Sequence, residues 1–387
     1  MSSMSFRQTH AILADAIRDL RAGRLFWLAL IVSTVLPLAL LPIGINENGL
    51  TVFHWELDAP INTGTTTLGN LYLAVIAIIG IPLWLTWGAT IVALVSTSGM
   101  IPSFVASGSV EFSLAKPIGR VRLFLTKWAG GLLFAAAQVG VFCLSAFLVV
   151  WIRGGMFAPE ILLAIPIVLS MFAYLHAISA LFGMLTGSGN AAMLMTIGVW
   201  FALFVVAATE ASFLQQRAQR EVALERAEEK IEVREEFARR KLERDGVSPP
   251  YSREQMLEVN PTIEWAEDEA DRLRPAVETW TTWHERLSLV RAPLPKTGET
   301  TDLLGRWIVD TDDAQRLMFM GAEEDDEIDE SPEDEDETAR RGGPTRAEVE
   351  RAVELATKPA WWILGTSYAF TGVVLGICCL IFARRDF

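Results

Sequence analysis

The residues able to do chemistry are few, and their spacing mostly says which chemistry is absent. His54, Glu56 and Asp58 alternate in the run His-Trp-Glu-Leu-Asp, which on a strand puts all three on one face. With four histidines in the whole chain and no second cluster to complete a ligand set, no metal site is expected there. His284 and Glu285 do not stand in an H-E-x-x-H frame, and neither G-x-S-x-G nor G-x-x-x-x-G-K-[ST] occurs. The chain therefore has no nucleophile elbow and no phosphate cradle of its own, and neither catalysis nor a cofactor is expected. Cys143, Cys378 and Cys379 all lie in apolar runs and give no disulfide framework. What remains is a basic amphipathic stretch, GSVEFSLAKPIGRVRLFLTKW, from Gly108 to Trp128. Its chemistry is electrostatic docking. A short helix over Val110 to Ala115, ended by Lys116 and Pro117 and carrying Glu111 ahead of a basic cluster, suits the groove of a cytoplasmic partner. The same basic residues could instead hold lipid headgroups, at about 1 kcal/mol each.

The flanks of that stretch decide where it sits. Six apolar runs free of Asp, Glu, Lys and Arg cover Leu25 to Ile45, Leu71 to Val95, Trp128 to Ile152, Ile161 to Leu185, Ala191 to Ala208, and Trp361 to Phe382. A hydrocarbon layer about 30 Å thick needs roughly 20 helical residues, so the expected architecture is an all-α integral membrane protein with six transmembrane helices. Residues 1–24 read as a cytoplasmic amphipathic helix, with Phe6, Leu13, Ala16, Ile17 and Leu20 opposed to Asp15, Arg18, Asp19 and Arg21. The first run is too long for a signal sequence and reads as an uncleaved span.

Orientation follows from basic residues beside the spans. Outside residues 209–358 the chain has eleven, and ten of them (Arg7, Arg18, Arg21, Arg24, Lys116, Arg120, Arg122, Lys127, Arg384 and Arg385) fall on one side if both termini are cytoplasmic. Only Arg153 falls on the other. The expected location is thus the plasma (inner) membrane. Residues 25–208 hold spans one to five with a cytoplasmic segment at 96–127, and residues 359–387 hold span six and a cytoplasmic tail. Gly183 with Gly187, and Gly372 with Gly376, are spaced to let helix backbones approach. Pro82 is placed to bend span two. Gln138 and His176, polar within spans, either line a pathway or bond a neighbouring helix. No span holds the acid relay of an ion-coupled carrier.

Residues 209–358 carry 22 basic and 39 acidic side chains, so the net charge of −14 belongs to this insert. Phe213 to Asp245 and Thr262 to Val290 read as two helices joined through Gly246, Pro249 and Pro250, forming a hairpin in an extracytoplasmic insert. The run 323–337, with twelve acids in fifteen residues, reads as solvated and disordered. Arg346 to Ala356 reads as a short last helix.

Gly108, Ser109, Glu111, Leu114, Pro117, Ile118, Arg120 and Lys127 together resemble the G-[TS]…E…L…P-[IV]-x-R…K signature that follows span two in membrane subunits of type-two, exporter-like ATP-binding-cassette transporters. The ending Phe382, Ala383, Arg384, Arg385, Asp386 is similar to the F-x-R-R-D ending of that family. The resemblance covers Ser5 to Ala208 and Trp361 to Phe387. It implies a permease subunit in which Gly108, Glu111, Leu114, Lys116, Pro117, Arg120, Arg122 and Lys127 couple to a separate P-loop ATPase subunit. It also implies a second permease chain, as homo- or heterodimer, and no nucleic-acid partner. Two features depart from the family: Ile101 to Ser107 has no acidic residue, and the insert exceeds the usual outer loop. The competing expectation is a multi-pass anchor presenting the insert to a partner.

Overall fold

The computed structural model describes residues 13–14, 18, 21, 23–58, 61–106, 119–308, 351, 353 and 357–385. The expected amphipathic helix at 1–24, the acidic run 323–337 and the helix at Arg346 to Ala356 fall wholly or mostly outside these residues. The described residues are predominantly helical, and five helices are long and apolar enough to cross a membrane: Leu68–Val105, Arg120–Ile152, Pro159–Thr186, Gly189–Arg244 and Ala360–Arg384.

The first apolar run behaves differently from a simple span. Its helix, α1 (Arg24–Leu38), has 15 residues, or about 22 Å at 1.5 Å per residue. Pro42 and Gly44 follow, and the chain enters a three-stranded antiparallel sheet of β1 (Ile43–Asn46), β2 (Gly49–Val52) and β3 (Trp55–Asp58). Asn46 pairs with Gly49 and Val52 with Trp55 across the two turns. An all-α reading missed this sheet. Asn48-Gly49 is the local reason for its first turn, because Gly49 takes φ 143°, a conformation closed to side chains. Tyr72 anchors the sheet to the bundle by donating to the Ile43 carbonyl at 2.5 Å.

The chain then continues through α2 (Leu68–Val75), a stretch of wide turns over Ile76–Ala89 around Pro82, α3 (Thr90–Thr97) and α4 (Met100–Ala106). Proline removes one amide donor and crowds the preceding turn, which is the cause of widened, i to i+5 geometry here. Thr90 Oγ1 bonds the Leu85 carbonyl, five residues back, at 3.1 Å. Next come α5 (Arg120–Ile152), α6 (Ala164–Thr186), α7 (Gly189–Arg244), α8 (Arg253–Val259), α9 (Thr262–Arg291), α10 (Thr297–Ile308) and α11 (Ala360–Arg384).

Two compact units share this chain: Met1–Phe204 with Leu294–Asp326 and Ala360–Phe387, and Val205–Pro293 with Glu327–Pro359. The insert is therefore not one piece. Helix α10 belongs with the apolar helices, where Leu303 and Leu304 join a buried cluster with Tyr72, Leu85, Phe142, Ile161 and Ile363. Within the second unit, α7 and α9 pair as a hairpin. Ala218, Val222, Ala227, Ala238 and Leu242 of α7 are buried, and Ile263, Ala266 and Ala270 bury one face of α9. Phe213 meets Trp280 edge-on at 5.6 Å, and Lys230 pairs with Glu269 and Arg274 with Glu228.

Glycines mark the closest backbone approaches in the apolar unit. A side chain at Gly183 would run into Pro102, and one at Gly189 into Gly99. Gly187 does not continue a packing stripe with Gly183. It ends α6 in the left-handed conformation, φ 67°, with open space where a Cβ would stand. Among the described residues, nothing stands where a Cβ at Gly372 or Gly376 would lie.

Candidate functional site

Of the basic stretch, Gly108, Glu111, Leu114, Lys116 and Pro117 lie outside the described residues. Gly119 is extended and serves as the residue before α5, so Arg120 and Arg122 sit in the first turn of that helix and Lys127 two turns on. Nη1 of Arg120 donates to the main-chain oxygens of Ala383 (2.9 Å) and Arg385 (3.0 Å). Arg385 in turn donates to the carbonyl of Met184, in the last turn of α6, at 3.2 Å. The last carbonyls of a helix have no partner within it and form the negative end of its dipole. Two guanidinium groups thus close the ends of α11 and α6.

An apolar cluster backs this junction. Phe104, Leu123, Phe124, Ala180, Met184, Cys378 and Phe382 are buried together. The Lys127 ammonium lies 5.3 Å from the centre of the Phe104 ring. Arg122 lines an apolar groove with Leu13, Val121, Leu125, Thr126 and Ala129.

Two polar clusters lie deeper. His176 reaches Thr97 Oγ1 through Nδ1 (3.4 Å) and the Trp128 carbonyl through Nε2 (3.2 Å), so it bonds two neighbouring helices. Its ring stacks between Trp128 and Phe172 and fills the space opposite Gly131, where any Cβ would collide with the imidazole. Gln138 is buried, and among the described residues neither of its amide atoms has a partner. The second cluster surrounds Lys296, which is 2% exposed. Its amide donates to Ser367 Oγ (3.0 Å) and its ammonium to Thr366 Oγ1 (2.7 Å). Buried Thr300 and Tyr174 lie beside it, and Ser170 bonds the Tyr368 hydroxyl at 2.5 Å. Reading the sequence alone missed this cluster, because Lys296 sits in the polar insert. The available signal was the Leu303-Leu304 pair two turns downstream. Hydroxyls, one imidazole and one ammonium can hydrogen-bond a polar group brought beside them, and the Thr97 hydroxyl beside His176 already donates to the Ala93 carbonyl at 2.8 Å.

In the second unit, buried Glu210 accepts from both Arg291 and Lys358, the latter at 3.1 Å. Glu221 holds Arg217 at 2.7 Å and Arg351 at 2.9 Å. His284 stands near Glu210 with both ring nitrogens buried and, among the described residues, unpaired. Burial pushes its pKa below the usual imidazole value. Glu210 and Glu285 oppose that shift, while Arg217 and Lys358 reinforce it. At the small sheet, Glu56 accepts from Asn46 Nδ2 (3.0 Å), and His54 lies in the turn before β3.

Comparison with protein families, with curated proteins and with solved structures gave no match to this chain.

Proposed function

We propose that this chain is the membrane-spanning permease subunit of an ATP-binding-cassette transporter of the type-two, exporter-like kind. A separate P-loop ATPase docks on Gly108 to Lys127, and a second permease chain completes the translocation path. In this reading α1 (Arg24–Leu38) counts as the first of six spans, both termini are cytoplasmic, and the substrate moves outward. One observation carries it: the two stretches that bear the family resemblance are joined. Arg120, from the P-[IV]-x-R part of the signature, holds Ala383 and Arg385 of the F-x-R-R-D ending. Force applied to the segment before Arg120 would reach the ends of α5, α6 and α11 together, as a coupling element requires.

The anchor reading is favoured by a different observation. Val233 and Phe237 on α7 and Trp265 on α9 are exposed apolar side chains within the hairpin unit, a composition that fits partner capture. Purification in mild detergent, with ATPase assay of the eluate, separates the two. The variant to compare deletes Glu111 to Lys116 and spares Arg120, whose contacts the fold needs. The permease reading expects ATPase activity with the wild type and its loss in the deletion. An eluate without ATPase activity, in which partners depend on the insert, supports the anchor.

A further inference from the structure

The three crossings between the two units occur at Phe204/Val205, Pro293/Leu294 and Pro359/Ala360. Glu210, Arg291 and Lys358 lie within a few residues of these crossings and form one buried ion cluster. Glu210 is also two residues beyond the apolar run Ala191 to Ala208. The Arg291–Glu210 contact therefore ties the end of α9 to the residues that directly follow this apolar run. Leu289 is five residues before Leu294, a leash of at most about 18 Å.

The side of α9 turned away from α7 at this end has an unusual composition. At about 100° per residue, Thr279, Thr282, Trp283, Arg286, Leu289 and Val290 share roughly one third of the helix surface. The opposite sector carries Trp280, His284 and Arg291, which face the hairpin interior. Trp283 is 51% exposed, Leu289 76% and Val290 63%. Arg286 lies over the Trp283 ring at 5.6 Å. No carboxylate falls in this sector over these turns, although the insert is strongly acidic.

We propose that this face is a lipid-contact surface. Leu289 and Val290 enter the headgroup and upper acyl layer of the extracytoplasmic leaflet, Trp283 lies at the headgroup level, and Arg286 bonds lipid phosphate while covering the indole. Indole and guanidinium groups favour that boundary, and apolar side chains gain by leaving water there. The insert's net negative charge opposes attraction to anionic lipid, so the contact is driven by apolar burial and forms on phosphatidylcholine. It rests on the apolar helices lying in a bilayer, and does not require transport.

The test uses the full chain in phosphatidylcholine nanodiscs, with Cys143, Cys378 and Cys379 replaced by alanine. A single nitroxide is placed through Leu289→Cys, through Asp245→Cys in the turn after α7, or through Leu380→Cys on the exposed side of α11. Collision with oxygen, which concentrates in lipid, is compared with collision with a water-soluble nickel chelate. The proposal expects the oxygen-to-nickel ratio at 289 to exceed that at 245 at least threefold and to approach that at 380. A ratio at 289 equal to that at 245, with 380 lipid-like, overturns the lipid surface alone. Spin–spin broadening at 289 overturns it in favour of a second copy covering the face. A water-like ratio at 380 overturns the membrane placement and the proposal with it.

Discussion

The guanidinium of Arg120 donates to the main-chain oxygen of Ala383 at 2.9 Å, joining the first turn of α5 to the last turn of α11 across 263 residues. A second bond to Arg385 shares the same nitrogen, and Arg385 passes the connection on to Met184 of α6. Charge-assisted bonds to orphan carbonyls contribute about 1.5–3 kcal/mol each. Arg120→Ala should lower the unfolding midpoint in detergent by several degrees. Arg120→Lys should recover less than half of that loss, because an ammonium lacks the planar fork. Scanning fluorimetry checks both; equal midpoints for all three chains would show the junction to be slack.

Glu210 is the hub of the insert's base. Its side chain is 4% exposed, and those of Arg291 and Lys358 are 11% and 28% exposed. Removing one partner of a buried ion cluster costs about 3–5 kcal/mol, because the remaining charges stay desolvated. Glu210→Gln should raise amide exchange throughout residues 205–293, whereas Glu228→Gln, in the exposed pair with Arg274, should change it by less than about 1 kcal/mol.

His284 makes the same region pH-sensitive. Its folded pKa lies below the unfolded value near 6.5, so the unfolded chain binds more protons as pH falls. The stability it contributes is complete above pH 6.5 and is lost as pH falls through the folded pKa. Protection over 205–293, with the intrinsic exchange rate at each pH divided out, should therefore fall between pH 7.5 and 5, and His284→Leu should flatten that fall by removing the proton-binding group.

Glycine substitutions separate contacts within the chain from contacts with a second chain. Gly131→Ala drives a methyl group into His176, and overpacking of this kind costs about 1–3 kcal/mol. At Gly372 and Gly376 an added Cβ meets nothing among the described residues, so Gly372→Leu and Gly376→Leu should fold normally. If the second permease chain packs on that face, they should abolish the dimer seen by native electrophoresis or crosslinking.

Leu303 and Leu304 test whether α10 is part of the apolar unit. Each is almost completely buried. Leu303→Ala should cost about 2–5 kcal/mol, measured as a fall in the midpoint of the whole bundle rather than of the insert alone.

The sequence made the long apolar helices readable because each is free of charge over roughly the length a bilayer needs. It made α7 and α9 readable because Glu235 with Arg239 and Glu236 with Arg240 stand at i,i+4, tryptophans mark the second stretch, and Gly246, Pro249 and Pro250 turn the chain between them. It hid α10, whose TGETTDLLGRWI carries Glu299, Asp302 and Arg306 and looks like surface. Only packing brings Leu303 and Leu304 inward. The first apolar run was misleading in the opposite way. Hydropathy continues to Ile45, but Pro42 and the Asn48-Gly49 turn convert its end into a strand. For the site, the signature residues could be picked out by type, yet nothing local indicated that Arg120 would meet the other end of the chain. Lys296 was invisible for the same reason: its partners Thr366 and Ser367 are 70 and 71 residues away.

The central claim is that the segment before Arg120 touches an ATPase. Photo-crosslinking in intact cells tests it most directly, with benzoylphenylalanine at Lys116 and, for comparison, at Val233 of the insert. The permease account predicts that position 116 captures a protein carrying a P-loop, in a yield that changes when cellular ATP is depleted. Capture of lipid alone at 116, with a protein captured only at 233, would contradict it.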